Sequence, residues 1–269
     1  MNPSILDHWE SGSPYDQYMG RWSRRIAPAF LAWLDLPVGG KWVDVGCGTG
    51  ALCAAILDQC APEEVIGIEP SSGFLEVAAK NLLGRATLQI GSAASLPLGD
   101  AVADGVVSAL MLNFVPDLDA GLREMVRIAA SGGTIAAYVW DYADKMELIR
   151  LFWDVAVSLD PAAGALHEGL RFPIGNPDAL QVAFTRVGLT QVEVSAIDVT
   201  TLFADFADYW QPFLGGQGPA PAYVMALEEE RRLLLRDALR VRLPHAADGT
   251  ISLTARAWAV RGRKQGEVA

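Results

Sequence analysis

Gly46, Gly48 and Gly50 recur at every second position, after the short apolar run Trp42 to Val45 and before an apolar helical pattern from Ala51 to Leu57. A strand that enters a glycine-rich turn and leaves as a helix is the cofactor end of a doubly wound sheet. Glycine is needed where the turn takes backbone angles that a side chain forbids, and where a ligand lies against the main chain. Amides exposed at the start of the following helix bind the ligand's polar groups. A second apolar run, Val65 to Ile68, ends in Glu69. A carboxylate there can accept hydrogen bonds from both ribose hydroxyls of an adenosine.

These residues need elements to hold them in place. From Pro14 to Leu36, Tyr15, Tyr18, Trp22, Ile26, Phe30, Trp33 and Leu34 recur at spacings of three and four, which predicts a helix over 14–36. Strands and helices then alternate through 40–142, with strands at Trp42–Val45, Val65–Glu69, Ala86–Gly91 and Ala103–Ser108, so a parallel sheet is expected. The amphipathic stretch Asp117 to Ala130 reads as a helix. Asp144-Lys145-Met146-Glu147 has the form of a capping box opening a helix to about Leu159, and Ala162 to Gly175 reads as loop. Asn176-Pro177 is a cap followed by proline at the first helical position, and Gly188 closes that helix. Leu189–Val199 reads as a sixth strand, Pro221–Leu243 as one long helix, and the alternation from Ile251 to Ala259 as a half-buried seventh strand. The expected layout is a single domain. A core at 40–142 continues at 176–199 and 250–261, with helical insertions at 143–175 and 203–243. From their order alone, the insertions and the N-terminal helix are expected to cover the carboxyl edge of the sheet, where ligands bind.

Four pieces, VDVGCGTG (43–50), GIEPS (67–71), GSAASLPLGDAVADGVVS (91–108) and LREMVRIAASGGTIAAYVW (122–140), stand in one order. Together they make residues 40–140 resemble the class I S-adenosylmethionine-dependent methyltransferases of the small-molecule type. The resemblance implies an α/β, Rossmann-like, doubly wound seven-stranded sheet, mostly parallel, with an antiparallel seventh strand between strands five and six. It implies S-adenosyl-L-methionine as cofactor. Gly46, Cys47, Gly48 and Gly50 would pass the backbone along its amino-acid end. Asp44 would orient the methionine ammonium, Glu69 beside Pro70 the ribose, Ser92 and Ala93 the adenine, and Leu110 would lie near the methionine part. The chain departs from the family pattern at three points. Ser92 stands where many members have Asp, Pro70 removes an amide from its turn, and Ser131-Gly132-Gly133 replaces the commoner Pro-Gly-Gly.

A net charge of −11 with no basic cluster excludes nucleic acid and anionic membrane as expected partners. Cys47, Cys53 and Cys60 fit neither a zinc motif nor a disulfide framework, so buried thiols and no metal are expected. The start Met1-Asn2-Pro3-Ser4 lacks a signal-peptide pattern, and no apolar run is long enough for a bilayer. A cytoplasmic protein with a small-molecule substrate is expected, of undetermined oligomeric state.

Methyl transfer from a sulfonium needs positioning more than a catalytic triad, because the leaving group is neutral. Candidate catalytic groups are His167, in an expected cover loop, and Asp141, at the end of the fifth strand. Trp140, Tyr15 and Tyr18 are candidate substrate contacts, with ordinary packing as the alternative for each aromatic. Two other readings stay open. Gly46, Gly48 and Ala51 formally satisfy a dinucleotide fingerprint, which would make the chain an NAD-dependent dehydrogenase. Intact glycines and Glu69 would also serve a regulatory or partner protein that binds S-adenosylmethionine without turnover.

Overall fold

The computed structural model describes residues 16–216 and 218–266. The chain divides into two compact units. Among the described residues, the sheet unit holds 23–139, 174–197 and 257–266; the helical unit holds 16–22, 140–173, 198–216 and 218–256. Of the segments read from sequence as insertions, 143–175 and 203–243, all but residues 174–175 fall in the helical unit together with Tyr18.

Seven strands form one sheet: β1 (Lys41–Val45), β2 (Glu64–Glu69), β3 (Thr87–Ile90), β4 (Ala103–Ala109), β5 (Ala129–Trp140), β6 (Thr190–Phe203) and β7 (Ile251–Arg263), in the order β3-β2-β1-β4-β5-β7-β6. β1 pairs in parallel with β2 on one side and β4 on the other. The chain order therefore reverses direction across β1 and β4, the switch point where such sheets bind ligands. β7 runs antiparallel to both neighbours. Lys264 N–H donates to Gly133 and Asp141 N–H to Arg256, so numbers rise on β5 as they fall on β7. The Thr190 hydroxyl donates to Arg263 O and that of Thr201 to Leu253 O, the same reversal on β6.

The sheet unit's core explains why these residues form strands. Val43, Val45, Val106, Ile135 and Val139 pack with Leu122, Met125 and Ile128 of the helix α4 (Leu118–Ile128) and with Leu180 and Phe184 of α7 (Pro177–Arg186). Each such buried side chain contributes about 1.5–3 kcal/mol. Asp117 caps α4 by accepting from Ala120 N–H at 2.9 Å. Asn176 caps α7 in the same way, with Pro177 in its first turn, as the sequence predicted. Arg127 on α4 bonds Glu124, Asp100 and the carbonyls of Leu96 and Leu98, which pins the loop before β4. Helices α2 (Ala51–Gln59) and α3 (Ser72–Leu82) follow β1 and β2.

Several boundaries differ from expectation. In place of one helix over 14–36, the described part opens as a wider π-helical turn, Asp16–Gly20, and continues as α1 (Arg21–Leu34). Asp35 then leaves the helix with φ 45°. The capping box at Asp144 does not form. Met146 is the N-cap of α5 (Glu147–Leu159), and the Glu147 carboxylate instead accepts from Thr254 N–H at 2.6 Å. The loop expected at 162–175 contains a 3₁₀ turn, Pro161–Leu166, and the short α6 (Glu168–Arg171). β6 extends to Phe203, with α8 (Phe206–Trp210) following. The long helix expected at Pro221–Leu243 is two, α9 (Pro219–Ala226) and α10 (Glu229–Arg242). Arg232 holds the break by donating to the carbonyls of Val224 and Leu227, groups that a helix end leaves free.

Candidate cofactor site

The three turn glycines all take positive φ: 72° at Gly46, 54° at Gly48 and 85° at Gly50. A side chain at Gly46 would also collide with Met111, which lies against that peptide from the segment after β4. Gly46 and Cys47 donate to Ile68 O at 2.8 and 3.1 Å, Gly50 to Cys47 O at 2.9 Å, and Gly48 to Glu69 Oε2 at 3.1 Å. These four amides shape the turn and are already committed; the helix-start amides that the sequence pattern points to begin at Ala51.

Asp44 is fully buried at the end of β1. Its Oδ2 accepts from the Cys53 thiol at 3.2 Å, while Oδ1 has no hydrogen-bond partner. Burial pushes its pKa from the ordinary 3.8 to about 7; the Cys53 contact opposes the shift, and the nearby Glu69 charge adds to it. A buried carboxylate with an open lone pair and a raised pKa fits a cationic ligand group, whose charge would restore the ionised form. Glu69 sits half-buried at the end of β2. Its oxygens accept from Gly48 and from Ser71 N–H at 3.0 Å, each keeping a free lone pair. Burial raises its pKa, and the two amides oppose the shift. Pro70 is exposed beside it. Glu69 thus braces the glycine turn while keeping lone pairs open, a structural role that spacing alone does not reveal.

Ser92 is exposed, and its hydroxyl accepts from Ala94 N–H at 3.1 Å, so it shapes its own turn. Ala93 lies beside Gly121 at the start of α4. Leu110 is nearly buried and left-handed, with φ 62°, and its amide donates to Tyr138 O at 2.8 Å. A leucine in that conformation costs of order 1–3 kcal/mol, the kind of strain that collects at ligand sites. Sequence reasoning missed Asn113, whose carboxamide oxygen and nitrogen are both buried without a hydrogen-bond partner. The available signal was a lone amide inside the apolar run Leu110-Met111-Leu112-Asn113-Phe114-Val115.

The other candidates lie in the helical unit. Trp140 and Tyr142 are buried, with Tyr142 against Phe172 at 5.5 Å between centroids. Tyr18 is buried edge-on to Phe213 at 5.4 Å, and its hydroxyl has no hydrogen-bond partner. Burial, then the charges of Glu168 and two tyrosines, raise its pKa. Tyr15 lies outside the described residues. Asp141 is buried and accepts from Asp144 N–H at 3.1 Å, which places it in a turn. His167 accepts from Gly169 N–H through Nδ1 at 3.0 Å, capping α6, and stacks on Trp153. Burial lowers its pKa. Trp153 Nε1–H donates to Glu168, a buried carboxylate that sequence reasoning also missed. Among the described residues no cluster of His, Cys, Asp and Glu could hold a metal, and no helix is long and apolar enough to cross a membrane.

Residues 43–137 match the Methyltransf_11 family, described as a methyltransferase domain. A demethylmenaquinone methyltransferase of Symbiobacterium thermophilum is 34% identical over 119 residues, covering 42% of this chain and 46% of that protein. The matched stretch thus spans about half the length of that relative. The fold is similar to that of a methyltransferase structure from Bacillus halodurans, with TM-score 0.60 and 14% identity over 89% of this chain and 98% of that one. It is also similar to Haemonchus contortus phosphoethanolamine N-methyltransferase 2 in complex with S-adenosyl-L-methionine, with TM-score 0.61 and 14% identity over 98% and 60% of the two chains. Residues 43–137 thus resemble a methyltransferase domain, and the sheet has the strand order expected of S-adenosylmethionine-dependent methyltransferases. The residues present fit the cofactor that the family uses. Asp44 leaves one oxygen open for an ammonium, Glu69 leaves lone pairs for a ribose, and Gly46 keeps the turn free of a side chain.

Proposed function

We propose that the protein transfers a methyl group from S-adenosylmethionine to a small, partly apolar organic acceptor. The observation that carries this reading is the open, buried oxygen of Asp44 beside a glycine turn that Glu69 braces. When bound, S-adenosylmethionine supplies an electrophilic methyl on a sulfonium whose leaving group is neutral. Asp44 receives the ammonium, and Glu69 receives the ribose hydroxyls. Gly46 and Gly48 let the ligand approach the backbone, and Ser92 and Ala93 border the adenine. The protein's contribution is to hold the acceptor in line with the methyl and to exclude water, which supplies most of the acceleration in such a reaction. Trp140 and Tyr18 are the proposed acceptor contacts. Asp141 and His167 are the candidate proton acceptors, although both already serve as turn or cap ligands. The names of the relatives, a quinone methyltransferase and an amine methyltransferase among them, support a small organic acceptor and leave the attacking atom open.

Calorimetric titration with S-adenosylhomocysteine, with NAD as control, tests the cofactor. Transfer of a labelled methyl to a panel of phenols, quinols and amines tests turnover. Selective binding of S-adenosylhomocysteine with transfer to any acceptor supports the reading. Binding of NAD alone favours a dehydrogenase. Cofactor binding without transfer across the panel favours a non-catalytic binding protein.

A further inference from the structure

We infer that Asn113 is a ligand for the amino-acid end of the cofactor, its amide nitrogen donating to the carboxylate and its oxygen accepting from the ammonium. This rests on the cofactor reading proposed above. The glycine turn cannot supply the carboxylate's donors from Gly46, Cys47, Gly48 or Gly50, because each of those amides already bonds within the protein. The carboxylates nearest the turn, Asp44 and Glu69, would repel it. The carboxylate calls for a neutral donor besides those four amides.

Asn113 meets that requirement. It lies in the 3₁₀ turn Leu112–Phe114, just after β4. Two residues before it, Met111 lies on Gly46; two residues after it, Val115 lies beside Gly121, which also neighbours Ala93. Asn113 is thus carried by the segment that runs between the glycine turn and the adenine side of the site. Both its polar atoms are buried without a partner, which is costly unless a ligand completes them. A zwitterion offers a donor and an acceptor side by side and satisfies both atoms. The left-handed Leu110, which starts this segment, fixes how the turn leaves β4. Asp44 holds the ammonium from β1, so the two residues grip the amino-acid end from both sides of the switch point.

The test compares two nucleosides on the whole protein. S-adenosylhomocysteine has the amino-acid end, and 5′-methylthioadenosine lacks it. In N113L, which keeps the branched shape and removes both polar atoms, affinity for S-adenosylhomocysteine should fall about tenfold to a hundredfold. Affinity for methylthioadenosine should not change. The free variant should melt no lower than wild type, since two unsatisfied polar atoms are gone. N113D gives a second reading: it should weaken S-adenosylhomocysteine and spare decarboxylated S-adenosylmethionine, which has no carboxylate to repel. Equal losses for both nucleosides in N113L, or no loss for either, would overturn the assignment. A wild-type protein that binds neither nucleoside would instead overturn the cofactor reading beneath it.

Discussion

Raising the pH from 6 to 8 should tighten S-adenosylhomocysteine binding through Asp44. Its carboxyl is fully buried, and its pKa stands at about 7 without ligand. About one-tenth of the protein then carries the ionised form at pH 6, and about nine-tenths at pH 8. If the ammonium binds the ionised form, affinity should rise about tenfold across that range, about 1.4 kcal/mol. At pH 6 each binding event should release close to one proton, read from titrations in buffers of different ionisation enthalpy. The same group also affects stability, with the opposite sign. Its folded pKa lies above its unfolded value, so the folded state binds more protons between pH 4 and 7 and loses stability as pH rises through that window. A shift from 3.8 to about 7 corresponds to about 4 kcal/mol lost by pH 8. Asp44→Asn should remove both effects, giving a free protein with flatter stability against pH and a weaker affinity that lacks the Asp44 step. Glu69 also titrates above its ordinary range, so this variant separates the two carboxylates. An affinity that is flat or falling between pH 6 and 8 in the unmodified protein would refute the pairing of Asp44 with the ammonium.

Three further perturbations follow from the site. Glu69→Ala should weaken S-adenosylhomocysteine by about 1.5–3 kcal/mol and also lower the melting temperature, because Gly48 and Ser71 lose their acceptor; an unchanged affinity in the folded variant counts against the ribose role. Gly46→Ala should cost at least about 1 kcal/mol of stability from its positive φ alone and more from Met111, and Met111→Ala in the same chain should restore part of the loss in chemical denaturation. His167→Asn keeps a capping side chain and removes the imidazole. Methyl transfer should then fall about a hundredfold, as for loss of a general base, and a rate within about twofold counts against His167 as the proton acceptor.

Much of the sheet unit was legible in the sequence because its signals are local. The run Trp42–Val45, the glycines after it and the carboxylate at Glu69 each depend on a few neighbouring residues, and so do Asp117 and Asn176 as helix caps. The helical unit was less legible. The break at Leu227–Glu228 lies in an unbroken helix-forming stretch, and Arg232 decides it by reaching back to two carbonyls. The Asp144 capping box matched the sequence rule, yet Glu147 was taken by Thr254, 107 positions away.

The sequence by itself determined the strand order along the chain, the strand-turn-helix at Asp44–Ala51 and the residue types that a cofactor needs, since periodicity and glycine spacing are properties of adjacent positions. Only the tertiary structure decided which of those groups remain open to a ligand. Hydrogen bonds are exclusive: Ile68 O and Glu69, distant in sequence from the turn, occupy the amides of Gly46, Cys47 and Gly48. Burial then left Asp44 and Asn113 with polar atoms that nothing in the protein satisfies. Such vacancies arise from how segments pack together, and no window of sequence contains them.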